Sequence, residues 1–71
     1  ENKLILPPLA QLGMLNKLAI AGDITRLRAE ANLIEKNYPI ASQKLTQLMD
    51  DFKIGELKKL LKYWINKQEV N

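Results

Sequence analysis

Four interruptions of the helical pattern constrain the fold of this 71-residue chain more than any other feature. They are Pro7-Pro8, Gly22-Asp23, Asn37-Tyr38-Pro39 and Lys53-Ile54-Gly55. Proline disfavours a helical residue before it and fits a first helical turn, whereas glycine suits a left-handed C-cap. No segment alternates like a strand over more than a few residues. The pattern predicts an all-α fold, a compact antiparallel array of four short helices at about 8–21, 24–36, 39–52 and 56–68.

Apolar side chains recur at helical spacing within each predicted segment. In the second segment, Ile24, Leu27, Ala31 and Ile34 follow one another at steps of three and four residues, which places them on one face. Trp64 falls on the apolar stripe of the last segment. We expect one shared core that contains Leu15, Leu27, Ile34, Leu45, Leu48, Phe52, Leu61 and Trp64. The sequence shows no convincing repeat of fixed period.

The Gly22-Asp23 pair gives the strongest local signal. Gly22 is expected in a left-handed C-cap, and the Asp23 carboxylate is expected to accept an N–H from Thr25 or Arg26 as an N-cap. Because the connection is so short, the first two helices should pack antiparallel. Pro39 is expected at the start of the third helix. We therefore assign structural roles to Gly22, Asp23, Pro39, Phe52 and Trp64.

Composition supports one domain at residues 8–68, preceded by an extended segment at 1–7 and followed by a tail at 69–71. The chain is 46% hydrophobic and 27% charged, a globular balance. A chain of this length can build only one core. It contains neither an apolar run of about 20 residues nor a secretory signal, so we expect a cytoplasmic protein without membrane insertion. A start at Glu1 suggests a fragment of a longer protein.

The inventory of reactive side chains is small. The chain has no cysteine and no histidine, which removes thiolate and imidazole ligands and the commonest proton shuttle. Ser42 and Thr46 lie one helical turn apart without a histidine to activate either, so they are expected to be exposed polar positions. The glycines are too far apart to form a phosphate-binding loop. We expect no enzyme activity, no catalytic residue, no metal site and no cofactor.

Asp50 and Asp51 are adjacent carboxylates near a predicted helix C-terminus. Such pairs can bind magnesium in other settings. Here the helix dipole disfavours negative charge, and Lys53 or Lys58 can offset it. We expect the two carboxylates to be solvated or ion-paired.

A basic cluster lies near the C-terminus, with Tyr63 and Trp64 interleaved. Its members are Lys58, Lys59, Lys62 and Lys67, with Lys53 ahead of them. Basic residues beside aromatics can hold phosphates and stack bases. Helical geometry places Lys58 and Lys62 on one edge and the other lysines elsewhere, and it assigns Trp64 to the core. The net charge of +3 is mild for a nucleic-acid-binding domain, which stays the alternative hypothesis.

An ordered pattern of residues carries a family resemblance. It consists of Leu6-Pro7-Pro8, Leu15, Leu18, Ala19, Gly22-Asp23-Ile24, Leu27, Ala31, Pro39, Leu45, Leu48 and Phe52. The pattern resembles the short helical tail that follows the receiver domain in many bacterial, notably cyanobacterial, hybrid sensor histidine kinases. The resemblance covers roughly residues 6–65 and depends on order and spacing.

The resemblance implies a noncatalytic interaction module that contributes domain packing or association in phosphorelay signalling. ATP and phosphoryl chemistry would belong to the kinase and receiver domains of a longer parent. The expected partners are proteins: neighbouring domains of the same chain, or a second copy. A phosphotransfer domain is also a helical bundle in such proteins, but it needs a histidine that this chain lacks. A small structural subunit or adaptor outside two-component signalling is a third possibility. A nucleic-acid-binding domain should show one continuous basic face, whereas an interaction module should show scattered charges.

Overall fold

Four helices account for most of residues 4–70, the part of the chain that the computed structural model describes. They are α1 (Leu9–Ala21), α2 (Ile24–Ile34), α3 (Pro39–Asp50) and α4 (Ile54–Val70). Residues 4–70 contain no strand, so the predicted all-α array is confirmed. α1 packs on α2 and α4, and α3 packs on the same two helices. Each helix therefore has two neighbours, and the array closes into a ring.

The turn between α1 and α2 has the predicted left-handed glycine. Gly22 has φ 74°, and its N–H donates to the Ala19 carbonyl at 3.1 Å. The Asp23 N–H donates to the Leu18 carbonyl at 3.0 Å. This pair of hydrogen bonds is a Schellman motif, which satisfies the last carbonyls of α1. The Asp23 carboxylate also accepts the Arg26 N–H at 3.3 Å, one of the two N-cap bonds expected from the sequence.

The turn between α3 and α4 repeats the motif with a phenylalanine in the left-handed position. Phe52 has φ 58°, and its N–H donates to the Met49 carbonyl at 3.1 Å. The Lys53 N–H donates to the Leu48 carbonyl at 2.9 Å. The expected core position of Phe52 is wrong, because the side chain is 87% exposed. The helix ends before Phe52, so the periodicity that aligned it with the α3 stripe no longer applies.

The observed helix ends differ from the predicted ones by up to two residues. α2 ends at Ile34 rather than at 36. The next residue, Glu35, donates its N–H to the Asn32 carbonyl, three residues back, which makes a tighter turn than an α-helix. α3 begins at Pro39 as expected but ends at Asp50 rather than at 52.

The two terminal helices also differ from prediction. Pro8 is the N-cap of α1, with extended ψ 160°, and the helix itself begins one residue later. α4 runs from Ile54 to Val70 rather than over 56–68, so Gly55 lies inside a helix and not in the turn. Residues 69 and 70 are therefore helical rather than part of a tail. Residues 1–3 and 71 of the predicted extended segment and tail lie outside the described residues.

Side chains from all four helices form the core. Trp64 is buried with 1% of its surface exposed, as expected, whereas Leu48 is only partly buried and packs against the core. The buried apolar residues of the core are Leu12, Leu15, Ala19, Leu27, Ala31, Ile34, Ala41, Leu45, Met49, Leu57, Leu61 and Trp64.

Six buried positions in the first half of the chain each have a buried counterpart thirty residues later. The equivalent pairs are Leu12 and Ser42, Leu15 and Leu45, Ala19 and Met49, Leu27 and Leu57, Ala31 and Leu61, and Ile34 and Trp64. The molecule is thus built from two equivalent helical hairpins, α1–α2 and α3–α4, which close the ring. The repeat concerns burial and not residue identity, and only two of the six buried pairs keep the same residue type.

Candidate interaction surface

α1 is apolar on both its inner and outer sides. Its only polar side chains are those of Gln11, Asn16 and Lys17, and it contains no acidic residue. Met14 is 51% exposed and Ile20 is 65% exposed. A helix that is apolar all round normally buries both sides, so these exposed side chains make the outer side of α1 the candidate interaction surface.

We define the α1 outer face as the exposed residues opposite the core stripe. They are Leu9, Ala10, Met14, Lys17, Ile20 and Ala21. Sequence reasoning missed this face, because it followed only the inner apolar stripe of the helix. In the structure Gln11 and Asn16 are half-buried, and apolar side chains take the outer positions. The near absence of charge in the segment was the signal that could have revealed it.

All the lysines of the predicted basic surface are exposed on α4: Lys58, Lys59, Lys62 and Lys67. Residues 53–70 contain five lysines and two glutamates, which gives a net charge of +3. The whole chain also has a net charge of +3, so residues outside 53–70 are balanced. The entire net charge of the protein therefore belongs to α4 and the residue preceding it.

The lysines do not all lie on one edge of α4. Lys62 lies four residues after Lys58 and three after Lys59, so these three lysines share a continuous patch. Lys67 lies instead beside Tyr63, with its Nζ 5.4 Å from the ring centroid. The buried Trp64 ring cannot serve as a stacking platform. The surface is thus intermediate between the single basic face and the scattered charges that the two hypotheses predicted.

The relative placement of α1 and α4 follows from two contacts. The Gln68 side chain near the end of α4 donates to the Pro7 carbonyl at 2.7 Å, just before α1 begins. The two helices are therefore antiparallel, with the start of one beside the end of the other. In the equivalent helix pair, Arg28 of α2 bonds to Asp50 of α3 at 2.9 Å. In the thirty-residue correspondence the positions equivalent to Arg28 and Asp50 are Lys58 and Ile20. From this correspondence we infer that Lys58 and Ile20 lie on the facing edges of α4 and α1.

The opposite side of the ring contains an open polar groove between α2 and α3. Its lining residues are Asn32, Glu35, Pro39, Ser42, Gln43, Thr46, Gln47 and Asp50. Ser42 is only 3% exposed, so the expectation that it is a solvent-exposed position is wrong. Its hydroxyl donates to the Ala31 carbonyl at 2.7 Å. That carbonyl is among the last four of α2, which have no helical partner, so Ser42 has a structural role.

The aspartate pair is ion-paired in part, with a partner that the sequence did not indicate. Asp50 pairs with Arg28 across the helix interface, not with Lys53 or Lys58. Asp51 is exposed and lines a shallow depression with Lys53. Among residues 4–70, no three acidic side chains converge as a group that could hold a metal ion.

Comparisons with protein-family models, with curated proteins and with solved structures give no match. No helix within residues 4–70 has the length and apolar character needed to cross a membrane.

Proposed function

We propose that this chain is a noncatalytic helical interaction module of a hybrid sensor histidine kinase, acting in the cytoplasm by contact with neighbouring domains or with a second copy. The observation that carries the proposal is the exposed apolar surface of α1, the α1 outer face. The core is filled from the other side of this helix, so folding of the ring does not need apolar residues there. Burial against another protein gives these side chains a favourable role.

The two-component context depends on the resemblance over roughly residues 6–65. The features behind that resemblance have structural roles in this fold: Gly22 and Asp23 form a capped turn, and Pro39 begins α3. In a parent kinase the module would contribute domain packing or association, while the phosphoryl chemistry stays in other domains.

The proposal is tested in a parent chain that contains a kinase and a receiver. Deleting residues 8–68 should leave autophosphorylation intact and alter association or signalling output. A less disruptive variant, Met14→Ser with Ile20→Ser, should have the same effect without removing the domain. A matched control is Tyr63→Ser, which changes an exposed apolar side chain on α4. Phosphorylation of the isolated fragment, or unchanged output after the deletion, would contradict the proposal.

The alternative function is nucleic-acid binding, and the concentration of the whole net charge on α4 favours it. Lysines bind phosphates without needing an aromatic platform, so the buried Trp64 does not argue against this mode. Fluorescence anisotropy with a short duplex DNA over a salt series tests it. Tight binding with a steep salt slope, lost in Lys58→Gln with Lys62→Gln, would favour this function over the protein-contact proposal.

A further inference from the structure

The α1 outer face has the dimensions of a helix-binding strip. Leu9 and Ile20 are eleven residues apart, which corresponds to roughly 16 Å along a helix. Met14 lies between them along the helix axis but on the other border of the face, about 120° around the helix from Ile20. Apolar side chains therefore flank both sides of a partner helix laid along the centre of the face. A partner helix of three to four turns can place an apolar stripe at i, i+3, i+4 and i+7 against such a strip.

The charges on this strip and on its α4 side are positive. Lys17 lies within the α1 outer face, and α1 has no carboxylate. Lys58 faces the Ile20 edge of α1 from α4, and Lys62 follows one turn later on the same edge. The carboxylates of α4 are Glu56 and Glu69, which lie near the two ends of the helix. A partner that covers the strip therefore meets Lys17 on the strip itself and lysines on its α4 side.

This charge distribution discriminates among the partners that could cover the strip. A symmetric contact between two copies would place two surfaces that both carry Lys17, Lys58 and Lys62 against each other, and like charges disfavour that arrangement. A nucleic acid would pair with the lysines but leave the apolar side chains in water. A segment with an apolar stripe flanked by carboxylates satisfies both features.

We infer that the α1 outer face and the Lys58–Lys62 edge of α4 form a docking site for an acidic amphipathic helix of a partner protein. The apolar stripe of that helix packs on Met14 and Ile20, and its flanking carboxylates meet Lys17, Lys58 and Lys62. The inference depends on the proposed function, because it names the partner of a module that acts by contact.

The test uses the 71-residue chain and a defined probe. The probe is a labelled synthetic helix of about eighteen residues, or five turns, with a leucine stripe flanked by glutamates. The control peptide has glutamine at every glutamate position. We expect the acidic peptide to bind at least about tenfold more tightly at low salt, with a difference that shrinks as salt rises. Backbone amide chemical-shift changes should be confined to α1 and the adjoining edge of α4.

Variants of the chain separate the apolar and the ionic contributions. Ile20→Ser should weaken binding by more than about tenfold because it removes a large apolar contact. Lys58→Gln with Lys62→Gln should weaken it by about tenfold at low salt and much less at high salt. Tyr63→Ser and Lys44→Gln are matched controls at exposed positions away from the site, and they should bind as the unmodified chain does.

Several outcomes would overturn the inference. They are equal binding of the two peptides, no binding of either, chemical-shift changes in the α2–α3 groove, or full affinity in Ile20→Ser. Concentration-dependent dimerisation that is lost in Ile20→Ser would assign the face to a second copy instead. If deletion from the parent alters output while the acidic peptide does not bind, the proposed function stands and only the partner assignment fails.

Discussion

The two hairpins put equivalent positions in the core but present different chemistry where they meet. At the α2–α3 contact, Ser42 bonds to the Ala31 carbonyl, and Arg28 pairs with Asp50. The equivalent positions at the α1–α4 contact are Leu12, Leu61, Lys58 and Ile20. The polar groups of one contact are paired within the domain, whereas the other leaves Ile20 and Lys58 facing outward. The α2–α3 contact therefore uses its edge residues within the domain, whereas the α1–α4 contact leaves Ile20 and Lys58 available to the partner proposed above.

The two Schellman turns have the same backbone geometry but different residues at the left-handed position. Gly22 and Phe52 occupy the same left-handed position, and Asp23 and Lys53 occupy the same position before the next helix. Glycine adopts this conformation without strain, whereas phenylalanine does so at a cost. The backbone hydrogen bonds impose the turn even where the residue is unfavourable.

The largest expected effect compares the last buried position of each hairpin. Trp64→Ala should lose about 3 to 5 kcal/mol of unfolding free energy, and Ile34→Ala about 2 to 4 kcal/mol, because a larger cavity is left in place of the indole. Urea denaturation followed by circular dichroism measures both. If Trp64→Ala does not fold, Trp64→Phe should still be less stable than the unmodified chain. A loss below about 1 kcal/mol for Trp64→Ala would place the ring at the surface.

The second comparison concerns Leu12 and Ser42, which are equivalent in the two hairpins. Leu12→Ala should lose about 2 to 5 kcal/mol through cavity formation. Ser42→Ala should lose about 1 to 2 kcal/mol because the Ala31 carbonyl loses its buried donor. Urea denaturation followed by circular dichroism measures both losses of unfolding free energy. An unchanged stability in Ser42→Ala would mean that another group, or water, satisfies this carbonyl.

Substitutions at the two left-handed turn positions should change the unfolding free energy in opposite directions. Gly22→Ala should destabilise by about 1 to 2 kcal/mol, since φ 74° strains a residue with a Cβ, although no atom beyond the two adjoining residues lies within 4 Å of a Cβ placed there. Phe52→Gly should be neutral or stabilise by up to about 1 kcal/mol, because strain relief outweighs the added chain entropy. Thermal and urea unfolding should agree in sign. Clear destabilisation by Phe52→Gly would indicate that the ring makes a stabilising contact.

The N-cap positions offer a smaller contrast. Asp23→Ala should lose about 1 kcal/mol with the Arg26 hydrogen bond. Lys53→Ser should gain about 0.5 to 1 kcal/mol, because a serine there and Glu56 three residues later can form a capping box on α4. Lys53→Ala is the control that removes the lysine without adding an acceptor. Equal stability of the serine and alanine variants would show that no cap forms.

The smallest effect is expected at the Arg28–Asp50 ion pair. Both side chains are substantially exposed, so Arg28→Gln or Asp50→Asn should cost less than about 1 kcal/mol, and the effect should diminish in high salt. A double-mutant cycle measures the coupling. A coupling well above 1 kcal/mol would show that this contact, and not only the core, holds α2 against α3.

Sequence alone determined the number and order of the helices, because the residues at the helix boundaries favour non-helical or capping conformations by themselves. Gly22, Asp23 and Pro39 act through their own backbone preferences, which need no tertiary partner. The inner stripes, including Trp64, were also readable, because the period of the helix fixes which residues share a face.

Only the tertiary structure decided which side chains near the helix ends and edges are exposed and what they contact. Phe52 and Met49 both fit the α3 stripe in the sequence, and only the place where the helix ends separates an exposed ring from a buried side chain. The sequence could not distinguish Ser42 from an exposed serine, because its burial depends on the end of α2, which packs beside it in the fold. The position of Lys58 at the Ile20 edge likewise depends on ring closure between α1 and α4. These contacts join residues far apart in the chain, so no local pattern encodes them.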